Sequence, residues 1–85
     1  MKLIRISAIW CTSCILTYKD WCNIKEKYPN LSYEEIDYDE GDIESYNVGD
    51  TLPVIIIFDG DKEVSRIVGE KREKEIIEHL GKLGL

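Results

Sequence analysis

Apolar residues along the chain follow two different periods. Over residues 2–9, "KLIRISAI", they crowd both sides of an extended segment, as in a strand buried within a parallel sheet. From Thr12 the period lengthens. Ile15, Tyr18, Trp21, Cys22 and Ile24 share a broad helical face, and Pro29 ends that helix near Tyr28. "LSYEEID", residues 31–37, alternates well enough for a second strand. The segment "YDEGDIESYNVGD" predicts a short acidic helix around Asp42–Tyr46, with Gly41 and Gly49 as punctuation. The β-branched run 54–58 reads as a third strand, with Pro53 at its mouth, where proline is permitted. Asp59-Gly60 turns the chain into the alternating "EVSRIV", a β-hairpin that Gly69 closes. Ile76, Ile77, Leu80 and Leu83 then stripe a last helix, with acids leading into its first turn.

The order β-α-β-α-β-β-α predicts an α/β fold, a four-stranded mixed sheet with helices on both faces. Eighty-five residues suit one domain over 1–85. No repeat or low-complexity linker divides them.

Charge narrows the function. With 11 Lys and Arg against 17 Asp and Glu, the net charge is −6, a poor match to nucleic acid, where each phosphate contact wants a cation. No apolar run of about 20 residues spans a membrane. Arg5 also interrupts the apolar N-terminal run that a secretory signal would need. The expected setting is therefore cytoplasmic, where a short cysteine pair is redox-active or metal-binding before it is structural. The chain is expected to work as a monomer.

All three cysteines lie within "ISAIWCTSCILTYKDWC". Cys11 stands where a strand gives way to a helix, so free backbone N–H groups and the positive helix end favour a thiolate there. Cys14 follows one turn deeper, within reach of a disulfide. Zinc wants four ligands and only Cys22 and His79 remain, so no metal is expected. Cys22 reads as a core thiol and His79 as a half-exposed helix residue. Tyr18, Trp21 and Tyr28 read as core or rim packing. The acids of "YEEIDYDEGDIE" lack calcium-loop spacing and read as a solvated face.

Trp10-Cys11-x-x-Cys14 before a helix, Leu52-Pro53 before a later strand, the Asp59-Gly60 hairpin and Val68-Gly69 together resemble the thioredoxin family. The resemblance covers nearly the whole chain, without that family's first strand and helix. It implies a thiol-disulfide oxidoreductase in which Cys11 is the exposed nucleophile and Cys14 the buried resolving thiol. No cofactor is implied. By the same resemblance Trp10 shields the sulfurs and meets partners, beside Thr12 and Ser13. Leu52-Pro53 carries a cis peptide that pairs with a substrate strand, and Gly69 leaves room for that strand. The implied partners are disulfide-bearing proteins and an external reductant, either a thioredoxin reductase or glutathione.

Two departures stand out. Thr12-Ser13 replaces the family's Gly-Pro between the cysteines, so the potential is not inherited. Arg5 stands six residues before Cys11, where the family carries a buried Asp that helps move the resolving cysteine's proton. An arginine cannot act as that base. It is left to stabilise a thiolate, with Cys11 the expected target, or to pair with Glu34 or Glu35. Glutaredoxins are a weaker resemblance, because "IVGEKREK" lacks their glutathione-binding Gly-Gly-x-x-Asp element. A non-enzymatic module that senses redox state or carries metal is the alternative from another class.

Overall fold

A computed structural model describes residues 1–41 and 43–85. Its elements are β1 (Lys2–Ser7), α1 (Thr12–Leu16), α2 (Tyr18–Lys27), β2 (Ser32–Asp37), a 3-10 turn (Glu44–Tyr46), β3 (Val54–Asp59), β4 (Lys62–Val68) and α3 (Glu73–Lys82). The sheet runs β2-β1-β3-β4. β1 is parallel to β2 and antiparallel to β3, and β3–β4 is the antiparallel hairpin. This is the mixed sheet that the order of elements implied.

Alternation along the strands separates two apolar clusters. Leu3, Ile55, Ile57 and Ile67 face Trp21 and Ile24 of α2 and Ile76 and Leu80 of α3. Ile4, Ile6, Val54 and Ile56 point the other way, into a cluster with Ala8, Cys11, Cys14 and Leu52. Helices cover the two faces unequally. The first face carries α2 and α3, whereas the second is roofed by the segment around the 3-10 turn, with Ile43, Tyr46 and Val48 packed against it. Arg66 of β4 pins that roof: its Nη2 donates to the Tyr46 carbonyl at 2.6 Å, and it also grips Glu63. The predicted acidic helix is thus a single 3-10 turn, and its expected first residue, Asp42, lies outside the described residues.

Three boundaries differ from the sequence reading, each for a local reason. β1 stops at Ser7, because the Cys11 amide donates to the Ala8 carbonyl and turns the chain outward, leaving Ile9 and Trp10 exposed. The predicted continuous helix from Thr12 to Tyr28 is broken at Thr17. There the hydroxyl joins the Thr17 amide on the Ser13 carbonyl, at 2.7 Å and 3.1 Å, and the backbone leaves the helical values with φ −97° and ψ 3°. The break also splits the expected apolar stripe: Trp21 and Ile24 are buried, while Ile15 and Tyr18 are exposed. Cys22 is half-buried and belongs to neither core cluster, so it is not the core thiol expected.

Two polar contacts add to the apolar packing of α3 against α2. Arg72 Nε meets Asp20 Oδ2 at 2.6 Å, and Asn23 Nδ2 donates to Glu73 Oε1 at 2.8 Å. No helix among the described residues is long and apolar enough to cross a membrane.

Candidate functional site

The turn between β1 and α1 sets the cysteines. Cys11 is the extended residue that caps α1, and its sulfur accepts the amide N–H of Cys14 at 3.2 Å. A donor aimed at that sulfur favours the negative charge a nucleophile must carry. Cys11 and Cys14 are both buried, so Cys11 is not the exposed thiol expected, and all three cysteines are free thiols.

The two thiols are not equivalent. Burial pushes the Cys14 thiol up to about 11, and its hydrogen bond with Cys11 adds to the rise. A backbone hydrogen bond from Ala8 and the positive charge of Arg5 pull it back. Cys14 is therefore held as a neutral thiol near pH 7, as a group waiting for the second step should be.

The remaining residues read from the sequence gather around this pair in different degrees. Leu52 packs in the same apolar cluster as Cys11 and Cys14. The Leu52–Pro53 peptide is cis, and Pro53 is buried. The Gly69 amide donates to the Pro53 carbonyl at 2.9 Å, and Val54 pairs with Val68, so both segments leave the sheet side by side. Gly69 has a φ of +89°, a conformation in which glycine is favoured. Thr12 is exposed and Ser13 half-buried at the start of α1. Trp10 is 57% exposed, with its indole N–H on Asp39 Oδ2 at 2.6 Å and its ring edge-on to Tyr38. His79 sits on α3 and is hydrogen-bonded to Ser65 of β4.

Arg5 is the residue whose place the sequence left open. It is only 3% exposed on β1, and its Nη2 donates to the Cys14 carbonyl at 2.7 Å. Its hydrogen bond thus goes to the backbone of Cys14 and not to Cys11. Nη1 lies 3.9 Å from Glu35 Oε1, while Glu34 pairs with Lys2. The parallel register places Arg5 beside Glu35, which resolves the two acids offered by the sequence. The Tyr18 ring lies 5.7 Å from the guanidinium carbon. Hydrogen bonding and charge at Cys22 hold the Tyr18 phenol above its ordinary value.

Sequence reasoning missed the cavity these residues share. It holds about 300 Å³ and is lined by Arg5, Ile9, Cys14, Tyr18, Glu35 and Asp37, among others. Tyr18 lies four residues beyond Cys14, a helical spacing that could have shown it, whereas Glu35 and Asp37 come from β2 and no local spacing links those two to Cys14. Parallel pairing of β1 with β2 was the signal available for Glu35.

A dithiol at a strand-to-helix turn, both thiols buried and one sulfur met by a backbone donor, can exchange disulfides without a cofactor. Known proteins resemble the chain in sequence and in fold. The chain is 32% identical to thioredoxin-1 of Saccharomyces cerevisiae over 70 residues, covering 81% of this chain and 68% of that protein. It is 31% identical to the thioredoxin of Chlamydia pneumoniae over 82 residues, covering 94% and 78% respectively. In fold it is similar to the thioredoxin of Fasciola hepatica, with a TM-score of 0.86 at 20% identity, over 95% of this chain and 78% of that one. The family model described as thioredoxin matches residues 1–82, and the chain belongs to the thioredoxin family of thiol-disulfide oxidoreductases.

Proposed function

We propose that the chain reduces or exchanges disulfides of partner proteins, with Cys11 as attacking thiolate and Cys14 as resolving thiol. The observation that carries this reading is the unequal pair: Cys11 receives a backbone N–H, and burial keeps the Cys14 thiol protonated. In the first step Cys11 Sγ attacks a substrate sulfur and displaces its partner as a thiolate. In the second, Cys14 attacks Cys11 Sγ, closes the intrachain disulfide and frees the second substrate thiol.

A protein substrate is favoured over a small one by the surface around the pair. Ile9, Trp10, Ile15 and Leu16 are each more than half exposed. Exposed apolar side chains on both sides of the dithiol in the chain favour a surface that meets another protein. The backbone near Pro53 and Gly69 is a natural edge for an extended substrate segment. We read the 85 residues as one domain acting in a cytoplasm, recharged by an external reductant. Its support is the single sheet shared by both apolar clusters, and the use of cysteine as a free dithiol.

The test uses Cys22→Ser protein, so that no third thiol scrambles the products. Cys11→Ser should abolish reduction of a protein disulfide, and Cys14→Ser should accumulate a covalent mixed disulfide at Cys11. Full turnover by either variant would reject the assignment of roles. Turnover with a thioredoxin reductase, set against turnover with glutathione alone, identifies the reductant.

A further inference from the structure

A guanidinium withdrawn from water is costly unless its charge is met by partners. Arg5 is 3% exposed, yet its carboxylate partner Glu35 is 3.9 Å away and its direct hydrogen bond goes to a neutral carbonyl, that of Cys14. Much of its charge therefore remains for whatever else faces it. The shared cavity of about 300 Å³ brings Cys14 to that position.

The charged and titratable groups around Cys14 are Cys11 on its own turn, Arg5 from β1, Tyr18 from α2, and Glu35 and Asp37 from β2. Asp37 Oδ1 already accepts the amides of Asp39 and Glu40. Among these lining groups Arg5 alone is a cation.

Resting on the reading of Cys14 as the resolving thiol, we infer that Arg5 and Glu35 together set the rate of resolution. Arg5 positions the Cys14 backbone and stabilises the thiolate that forms there, and Glu35 opposes that stabilisation. The step balances without another oxidant or reductant. In the mixed disulfide, the Cys14 proton passes to solvent water at the cavity and the thiolate attacks Cys11 Sγ. The Cys11–Cys14 bond forms, the bond from Cys11 to the substrate sulfur breaks, and that sulfur leaves with the electron pair and is then protonated. Arg5 takes no proton, because a guanidinium stays charged. It acts by attraction to the thiolate, which the neutral thiol does not feel. Burial holds the thiol up, and the fixed positive charge of Arg5 acts against that rise.

Opposite charges predict opposite effects, which a merely structural role does not. In a Cys11→Ser, Cys22→Ser protein, Cys14 is the only thiol and its ionisation is followed by thiolate absorbance or by alkylation rate against pH. Arg5→Met should move that titration to higher pH, Arg5→Lys should recover most of the change, and Glu35→Gln should move it to lower pH. With both redox cysteines present, Arg5→Met should slow release of substrate from the mixed disulfide about tenfold near pH 7. That factor accompanies a one-unit rise in a thiol pKa when only the thiolate reacts. Glu35→Gln should accelerate release.

Titrations that shift in the same direction for Arg5→Met and Glu35→Gln, or that do not shift, overturn the inference. If Arg5→Met does not fold, Glu35→Gln and Arg5→Lys decide it, and an unmoved Glu35→Gln titration is fatal. The titration does not depend on turnover. A Cys14→Ser protein that still resolves would instead overturn the role of Cys14.

Discussion

The indole N–H of Trp10 donates to Asp39 Oδ2 at 2.6 Å, joining the residue before Cys11 to the loop that leaves β2. The two residues are 29 apart in the chain, and Tyr38 supports the same ring edge-on at a centroid distance of 6.0 Å. A mostly exposed aromatic beside the dithiol is thereby held in one orientation. Asp39→Ala should cost less than about 1 kcal/mol of stability, as exposed charged contacts do. It should nevertheless loosen the indole, seen as lower fluorescence anisotropy at Trp10 in a Trp21→Phe background. Reduction of a protein disulfide should slow a few-fold, and unchanged anisotropy would show that Tyr38 alone orients the ring.

Alkaline pH should weaken the fold through Cys14. Its thiol is raised from 9.0 to about 11 by burial, so between these values the unfolded chain has lost the proton that the folded chain keeps. Stability is then fully present below about pH 9 and falls as pH rises toward 11. Burial raises the Tyr33 phenol as well, and that group acts in the same direction. Denaturant midpoints measured from pH 8 to 11 should fall less steeply for Cys14→Ser than for the parent. Parallel curves would refute the link.

Core truncations should separate sharply from changes at the exposed apolar surface. Trp21 and Ile57 are fully buried in the cluster between the sheet, α2 and α3. Trp21→Ala should cost about 3–5 kcal/mol and Ile57→Val about 0.5–1.5 kcal/mol. Ile15→Ser, at a 64% exposed position, should stay within about 0.5 kcal/mol while lowering the affinity for a protein substrate. Urea unfolding read beside substrate KM checks both halves of this expectation.

Two glycines should fail for different reasons. Gly69→Ala places a side chain at a φ of +89°, which should cost about 1–2 kcal/mol, although the new carbon would meet Thr51 only at 3.5 Å. Gly41 has no such backbone requirement. A carbon added there would clash with Ile36 Cγ2 and lie 2.7 Å from the Asp37 carbonyl oxygen. Gly41→Ala should therefore displace the loop that carries Asp39, and its effect on Trp10 should resemble that of Asp39→Ala. Gly69→Ala should leave Trp10 anisotropy unchanged.

Much of this was readable along the chain because it depends on near neighbours. The hairpin at Asp59-Gly60 follows from a turn dipeptide between β-rich runs, and it forms as β3 and β4. The Ile76 and Leu80 stripe needs only a 3.6-residue period, and both residues are buried. The break at Thr17 was hidden for the opposite reason. Helical periodicity continues through it, and the departure lies in the backbone of Thr17, whose hydroxyl and amide share the Ser13 carbonyl. Ile15 and Tyr18 were consequently placed on the wrong side of the apolar boundary.

The sequence by itself determined the order of elements, the dithiol at Cys11 and Cys14, and the family, since each is written in local spacing and residue type. It also determined that Arg5 cannot be a base, because that is a property of the guanidinium. Tertiary structure decided what Arg5 does instead. Its guanidinium reaches the Cys14 carbonyl only because β1 and the broken helix meet there, and it faces Glu35 only through the parallel register with β2. Contacts between residues distant in sequence depend on which strands pair and in what register. Those choices are made by burial of the whole sheet, not by any one segment.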